Sequence, residues 1–312
     1  MGTPDFALAS LKALVENNYN VVGVVTVADK PSGRGQKLHQ SPVKVYAESK
    51  GIPVLQPLKL KDENFLTELK ALQPDLQIVV AFRMLPEVVW RLPKYGTFNL
   101  HASLLPNYRG AAPINWAIIN GDTETGVTTF LLDHEIDTGR IIHQARTPIT
   151  EEDNVETVHD RLRDIGAGVV TQTVDDIIAG NIRPIDQDTL TADTEIRHAP
   201  KIFKATCRLA FDLPVKRAFD FVRGMSPYPA AWTELVEENG KRTMLKIYAT
   251  TREETTVAEA PGTVLTDGKT YFKIAFPDGY LALTQLQLAG KKRMTVSDFL
   301  RGYHPEGALR AE

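Results

Sequence analysis

Buried strands constrain this chain more than anything else in it. Residues 21–27, 76–82 and 127–132 are short apolar, β-branched runs, the length and character of strands covered on both faces. Val54-Leu55 adds a shorter one. Helical patterns separate them. Residues 6–15 place apolar side chains at 6, 8, 11, 14 and 15, and residues 62–72 form another helix. Residues 41–50 begin with Ser41 as N-cap and Pro42 at the first helical position. Residues 112–120 and 155–179 supply more helix, the second with apolar positions near 155, 158, 162, 165, 169, 170 and 174. Strands alternating with helices predict an α/β fold with a doubly wound, mainly parallel sheet.

One core seldom grows past about 250–300 residues, so 312 residues predict two domains. We read residues 1–183 as the first domain, the polar, weakly periodic stretch 184–200 as a linker, and 201–312 as the second domain. In the second, a helix over 215–223 ends at Gly224 and Pro227-Tyr228-Pro229. Alternating runs follow at 244–249, 262–265, 270–275 and 280–287, with turns at Asp267-Gly268 and Asp278-Gly279 and a last helix at 296–300. Short strands at that spacing suit a small barrel such as an OB fold.

Composition narrows the class. The chain is 43% hydrophobic and 24% charged, as in ordinary globular proteins. The single cysteine, Cys207, excludes an internal disulfide framework and fits a reducing compartment. No run approaches the roughly 20 apolar residues of a membrane span, and no signal peptide is evident, so a soluble cytoplasmic protein is expected. Residues 201–312 hold 17 basic and 13 acidic side chains against 19 and 26 before them, a balance of +4 following −7. A basic second domain hints at an anionic partner such as RNA. No G-x-x-x-x-G-K-[ST] phosphate loop occurs, Gly33-Arg34-Gly35 lacks the third glycine of a dinucleotide fingerprint, and the histidines form no metal motif.

The chemistry concentrates at Thr97-Phe98-Asn99-Leu100-His101. On a strand, side chains alternate, so Asn99 and His101 share one face while Phe98 and Leu100 enter the core on the other. Polar groups at the end of a buried strand cost desolvation unless bonded or employed. The loop 133–139 after the strand at 127–132 can bring Asp137 to them. Asn, His and Asp together suit acyl transfer to an amine: an amide N–H for the oxyanion, an imidazole to move a proton, and a carboxylate to orient that ring or accept a proton.

The strings N-L-H-A-S-L-L-P, Y-R-G-A-A-P-I and D-T-G, with M-G-T-P-D-F-A, G-R-G-Q-K-L-H-Q-S-P-V-K and R-G-M-S-P-Y-P-A-A-W-T in the same order, resemble the folate-dependent formyltransferases. Within that family the chain is most similar to members that formylate methionyl initiator tRNA. The resemblance implies 10-formyltetrahydrofolate as formyl donor, no metal, a monomer, and catalysis by Asn99, His101 and Asp137. It implies folate contacts from Ser103, Leu104, Leu105 and Pro106, and from Met84, Leu85 and Val88. Many members carry Tyr-Gly where this chain has Phe82-Arg83, which leaves the backbone from Met84 to Val88 as the contact there, with 131–135 closing the other side. Arg34 matches the family's loop arginine, and with Lys37 it would meet the tRNA; Lys291, Lys292 and Arg293 would track phosphates. The rivals are formylation of an amino sugar or ribotide amine, and an RNA-binding module on a degenerate scaffold. In the family a short apolar strand precedes M-G-T-P, so the expectation is a first strand missing here, with neighbouring strand edges exposed.

Overall fold

The computed structural model describes residues 1–32, 37–190, 195–305 and 307–312. They form two compact units: residues 1–110, 125–147 and 159–198, and residues 111–124, 148–158 and 199–312. The stretches 111–124 and 148–158, assigned by sequence to the first domain, pack instead with the second unit. Hydrogen bonds show why: Asn115 Nδ2 donates to the Gly224 carbonyl at 2.8 Å and Arg223 donates to the Thr150 carbonyl at 2.8 Å.

In the first unit, Gln77–Val80, Thr97–His101, Glu124–Leu131 and Ile141–Pro148 form a sheet in that order. The first pair is parallel, with Gln77 opposite Thr97 and Val80 opposite Leu100. The next is antiparallel, with His101 opposite Thr128. Val24–Val25 pairs in parallel with Val54–Leu55. The run at 21–27 therefore shrinks to a two-residue strand. Met1 and Gly2 reach the sheet themselves: the Gly2 N–H donates to the Val25 carbonyl at 3.0 Å and the Val80 N–H donates to the Met1 carbonyl at 2.9 Å. A cavity of about 640 Å³ opens beside these residues, walled by Leu11, Val24, Ile78 and Val174 among others.

Local signals set the helices. Ser41 caps Pro42–Ser49 by accepting from the Lys44 N–H, and Asp62 caps Glu63–Ala71 through Asn64 and Phe65. The helix Val155–Ala179 has the bounds expected from its periodicity. It lies close over one face of the sheet at Gly166, where an added Cβ would come within 2.8 Å of Leu100. Leu100 and Phe98 are 3% and 0% exposed. Strand alternation then sends Asn99 and His101 to the opposite face.

The second unit is a barrel-like antiparallel sheet in the order Val264–Thr266, Phe272–Phe276, Gly279–Leu288, Arg242–Glu254, Ala231–Glu237 and Leu309–Ala311, with Met294–Thr295 paired to Gly279–Leu288. A bridge between Thr263 and Arg310 joins its two ends. Its core holds Leu235, Leu245, Ile247, Phe272, Phe276 and Leu281, covered by Val215, Val222 and Met225 of the helix Val215–Met225. Three strands of this sheet, Ala231–Glu237, Met294–Thr295 and Leu309–Ala311, escaped the sequence reading. In the first, alternate residues are buried along its whole length, but the inward set includes Thr233 and Glu237, which hides the apolar alternation.

Gly262 sits at the barrel's seam. Its φ is +85°, its carbonyl accepts from the Ala311 N–H at 2.8 Å, and a Cβ would stand 2.6 Å from the Ala311 carbonyl oxygen. Gly262→Ala should therefore lower stability by about 1–3 kcal/mol, read as a reduced denaturant midpoint.

Candidate active site

Thr97–His101 and Gln77–Val80 run parallel and end together, so residues 81–88 leave the sheet at the edge where His101 stands. Ligands of open α/β sheets bind at that edge. His101 is 7% exposed. Its Nε2 donates to the Tyr108 carbonyl at 2.8 Å, a bond that assigns the proton to this nitrogen. Its Nδ1 lies 3.9 Å from Asp137 Oδ2. That distance is too long for a hydrogen bond, and it is an ion pair only when the ring carries a second proton. Asp137 is fixed from elsewhere, accepting the Gly110 N–H at 2.9 Å. Asn99 Oδ1 is buried with no hydrogen-bond partner among the described residues. A buried acceptor left in that state costs free energy until a donor arrives.

Two close approaches shape the turn that carries Asp137. Asp137 adopts φ +58°, a region where Asp is tolerated better than most residues. Gly139 lies so near the preceding strand that a Cβ would meet the Leu131 carbonyl oxygen at 1.7 Å. The glycine of D-T-G is thus a packing requirement of the turn.

The residues for which the resemblance implies folate contact fall into two groups. Ser103 and Leu105 are buried and committed to the scaffold: the Ser103 hydroxyl donates to the Asn107 carbonyl at 2.7 Å, and Leu105 packs with Phe130 and Ile141. Leu104 nestles against Gly126, and Pro106 continues the same loop. Met84 and Val88 are 68% and 46% exposed, whereas Leu85 is buried. They line an open cleft of about 990 Å³ with Leu60, Leu66 and Arg91. Across from them, His134 meets the Trp90 ring edge-on at 5.4 Å and Arg91 at 3.4 Å, so the 131–135 segment reaches this wall. Arg83 is tied to the Leu58 and Pro57 carbonyls. The cleft combines an apolar wall from Leu60, Leu66, Met84 and Leu85 with the charged Lys61, Arg83, Glu87 and Arg91, and among the described residues its lining does not include Asn99, His101 or Asp137.

Arg34 and the Lys37 side chain lie outside the described residues. Lys291 and Lys292 are exposed at a turn of the second unit. Arg293 stacks over Tyr248 at 4.4 Å and donates to Gln285 at 2.9 Å. Among the described residues, Asp5, His159 and Asp160 bring three potential metal-ligand atoms together, but Arg163 pairs with Asp160 at 3.1 Å and lies 3.5 Å from Asp5. The guanidinium answers that charge.

Sequence reasoning missed three groups that organise the site: the Tyr108 carbonyl, the Gly110 N–H and the Thr128 hydroxyl. The first two are backbone atoms and carry no side-chain signature. Thr128 stands opposite His101, donates to the Ser103 carbonyl at 2.7 Å, and accepts from the Leu105 N–H at 3.1 Å and Gln144 Nε2 at 3.0 Å.

Residues 1–174 match the Formyl transferase family, and residues 201–304 match the Formyl transferase, C-terminal domain. The chain is 57% identical over 310 residues to a methionyl-tRNA formyltransferase of Bacteroides fragilis, covering 99% of this chain and 96% of that one. It is 62% identical over 314 residues to the enzyme of that name from Phocaeicola vulgatus, covering 100% and 97%. Among solved structures it is similar to WlaRD, a sugar 3N-formyl transferase seen with dTDP and 5-N-formyl-THF, at TM-score 0.65 and 20% identity over 93% of this chain and 97% of that one. HypX from Aquifex aeolicus, in complex with tetrahydrofolic acid, aligns at TM-score 0.58 and 18% identity over 94% and 51%. Likeness at that identity concerns the fold alone.

Thr128→Val keeps the side chain's shape and removes the hydroxyl. It should leave the Leu105 N–H and Ser103 carbonyl unsatisfied and cost about 1–3 kcal/mol, measured by denaturant unfolding against the wild type.

Proposed function

The chain belongs to the formyl transferase family, and on that premise we propose that it transfers the formyl group of 10-formyltetrahydrofolate to the amino group of methionyl initiator tRNA. The names of relatives 57% and 62% identical over nearly the whole chain support that substrate. One observation of the site carries the chemistry. His101 Nδ1 faces the Asp137 carboxylate 3.9 Å away, and beside it Asn99 Oδ1 is buried with no hydrogen-bond partner among the described residues. That oxygen is free to accept an N–H of the amine while Nδ2 of the same amide donates to the oxyanion.

The donor supplies the formyl carbon, and the attacking amine needs no enzyme nucleophile. As the amine nitrogen bonds to that carbon, Asn99 and the protonated His101 ring donate to the developing oxyanion, a donor of this kind being worth about 10²- to 10³-fold. The Tyr108 carbonyl occupies Nε2–H, so His101 acts through Nδ1. Asp137 takes the proton that leaves the amine, and His101 returns one to the folate nitrogen as its bond to the formyl carbon breaks, with acid–base help of order 10²- to 10⁴-fold. The exposed Met84 and Val88 would cover the pterin's apolar surface. Arg34 and Lys37 would engage the acceptor end of the tRNA, and Lys291, Lys292 and Arg293 its phosphates. The enzyme would act as a monomer in the cytoplasm.

The decisive assay follows tetrahydrofolate release with charged initiator tRNA. Release that appears only with an amino sugar nucleotide, or competition by such a nucleotide for the acceptor, would favour the sugar-modifying rival. No release with any amine, together with retained RNA binding, would leave only a binding module. Within the tRNA reading, His101→Ala should cut kcat by about 10²- to 10³-fold while tRNA affinity stays within about twofold. Arg34→Ala should raise KM for tRNA and leave folate affinity unchanged. Wild-type turnover at limiting tRNA in that variant would remove the loop from the interface.

A further inference from the structure

Gln187 lies in the stretch that reads as a linker, yet it is 1% exposed. Its amide nitrogen donates to the Asp137 carbonyl at 2.9 Å and to the Gly139 carbonyl at 2.7 Å. Its amide oxygen accepts twice from Arg109, from Nε at 3.0 Å and from a terminal nitrogen at 2.7 Å. Both donors and both acceptor positions are used. On one side, then, Gln187 holds the backbone of the turn bearing Asp137. On the other it holds the residue next to Gly110, whose N–H fixes the Asp137 carboxylate at 2.9 Å.

The turn needs such a clamp. Asp137 has φ +58°, and a non-glycine residue stays in that region only where its surroundings over-determine it. The residue's chemistry is also specific. Glutamate would turn an acceptor toward two carbonyls, methionine would offer no donor, and asparagine would fall one methylene short of its partners.

We propose that Gln187, itself held by Arg109, is the positioning residue that fixes the Asp137 carboxylate against His101 Nδ1. It touches no substrate. The proposal rests on the reading of Asp137 as a proton acceptor in formyl transfer. Misplacing a catalytic group by about 1 Å costs of order 10²-fold in rate, so the clamp belongs to the rate and not to substrate affinity.

The test compares Gln187→Met, Asp137→Asn and the double variant, with Arg109→Lys as a milder disturbance of the same clamp. Formylation of charged initiator tRNA is followed for kcat, both KM values and the pH profile of kcat/KM. Gln187→Met should lower kcat by about 10- to 100-fold with both KM values within about twofold. Its pH profile should move in the same direction as that of Asp137→Asn, and Arg109→Lys should shift both quantities in that direction by less. In the double variant the loss should match Asp137→Asn alone, because the clamp then has no carboxylate to place. Multiplying losses, a raised KM with unchanged kcat, or a wild-type pH profile in the folded single variants would overturn the proposal. Should Gln187→Met fail to fold, the same readouts on Arg109→Lys decide. Wild-type activity of Asp137→Asn would instead remove the reading of Asp137, whatever Gln187 does.

Discussion

Burying an imidazole obliges the fold to answer its nitrogens, and the Tyr108 carbonyl answers one of them. The bond from His101 Nε2 at 2.8 Å decides the ring's orientation and which nitrogen remains for chemistry. It can form only because the chain turns back directly after the strand, with Tyr108 at φ +63°. The same return brings the Gly110 N–H to Asp137. A single excursion of the backbone thus places two of the three proposed reacting groups, and it does so with main-chain atoms.

The parts legible in the sequence share a physical feature: their signal is local. Ser41 and Pro42 announce a helix start because capping acts within one turn, and Ser41 indeed accepts from Lys44. The 25-residue helix Val155–Ala179 repeats its apolar stripe often enough to outweigh any single exception. Thr97–His101 is readable because the Asn–His pair contradicts an otherwise apolar strand, and such contradictions mark sites.

What stayed hidden depends on partners distant in sequence. Ala231–Glu237 buries Glu237 and Thr233, whose hydroxyl donates to the distant Glu312 carbonyl at 2.8 Å, so its inward face does not read as apolar. Leu309–Ala311 is three residues long and owes its existence to the strand beside it. The stretches 111–124 and 148–158 carry no mark of the unit they join. Gln187 is the sharpest case. A glutamine in polar surroundings looks like solvent-facing chain, and only the carbonyls it meets distinguish it.

A division of labour runs through the first unit's polar groups. Those that hold are saturated: Gln187 uses every donor and acceptor of its amide, and Thr128 both donates and accepts between Ser103 and Leu105. Those proposed to react keep capacity in reserve. Asn99 Oδ1 has no partner, His101 Nδ1 faces a carboxylate beyond bonding distance, and Asp137 accepts one hydrogen bond among the described residues. In a low-dielectric setting, an acceptor left without a donor raises the free energy of the empty site, and that cost is recovered when a donor such as an amine N–H reaches it. That cost is bearable only if the neighbours cannot rearrange to relieve it. The saturated clamps matter for this reason: they prevent the fold from collapsing its unpaired atoms onto one another before the substrates arrive.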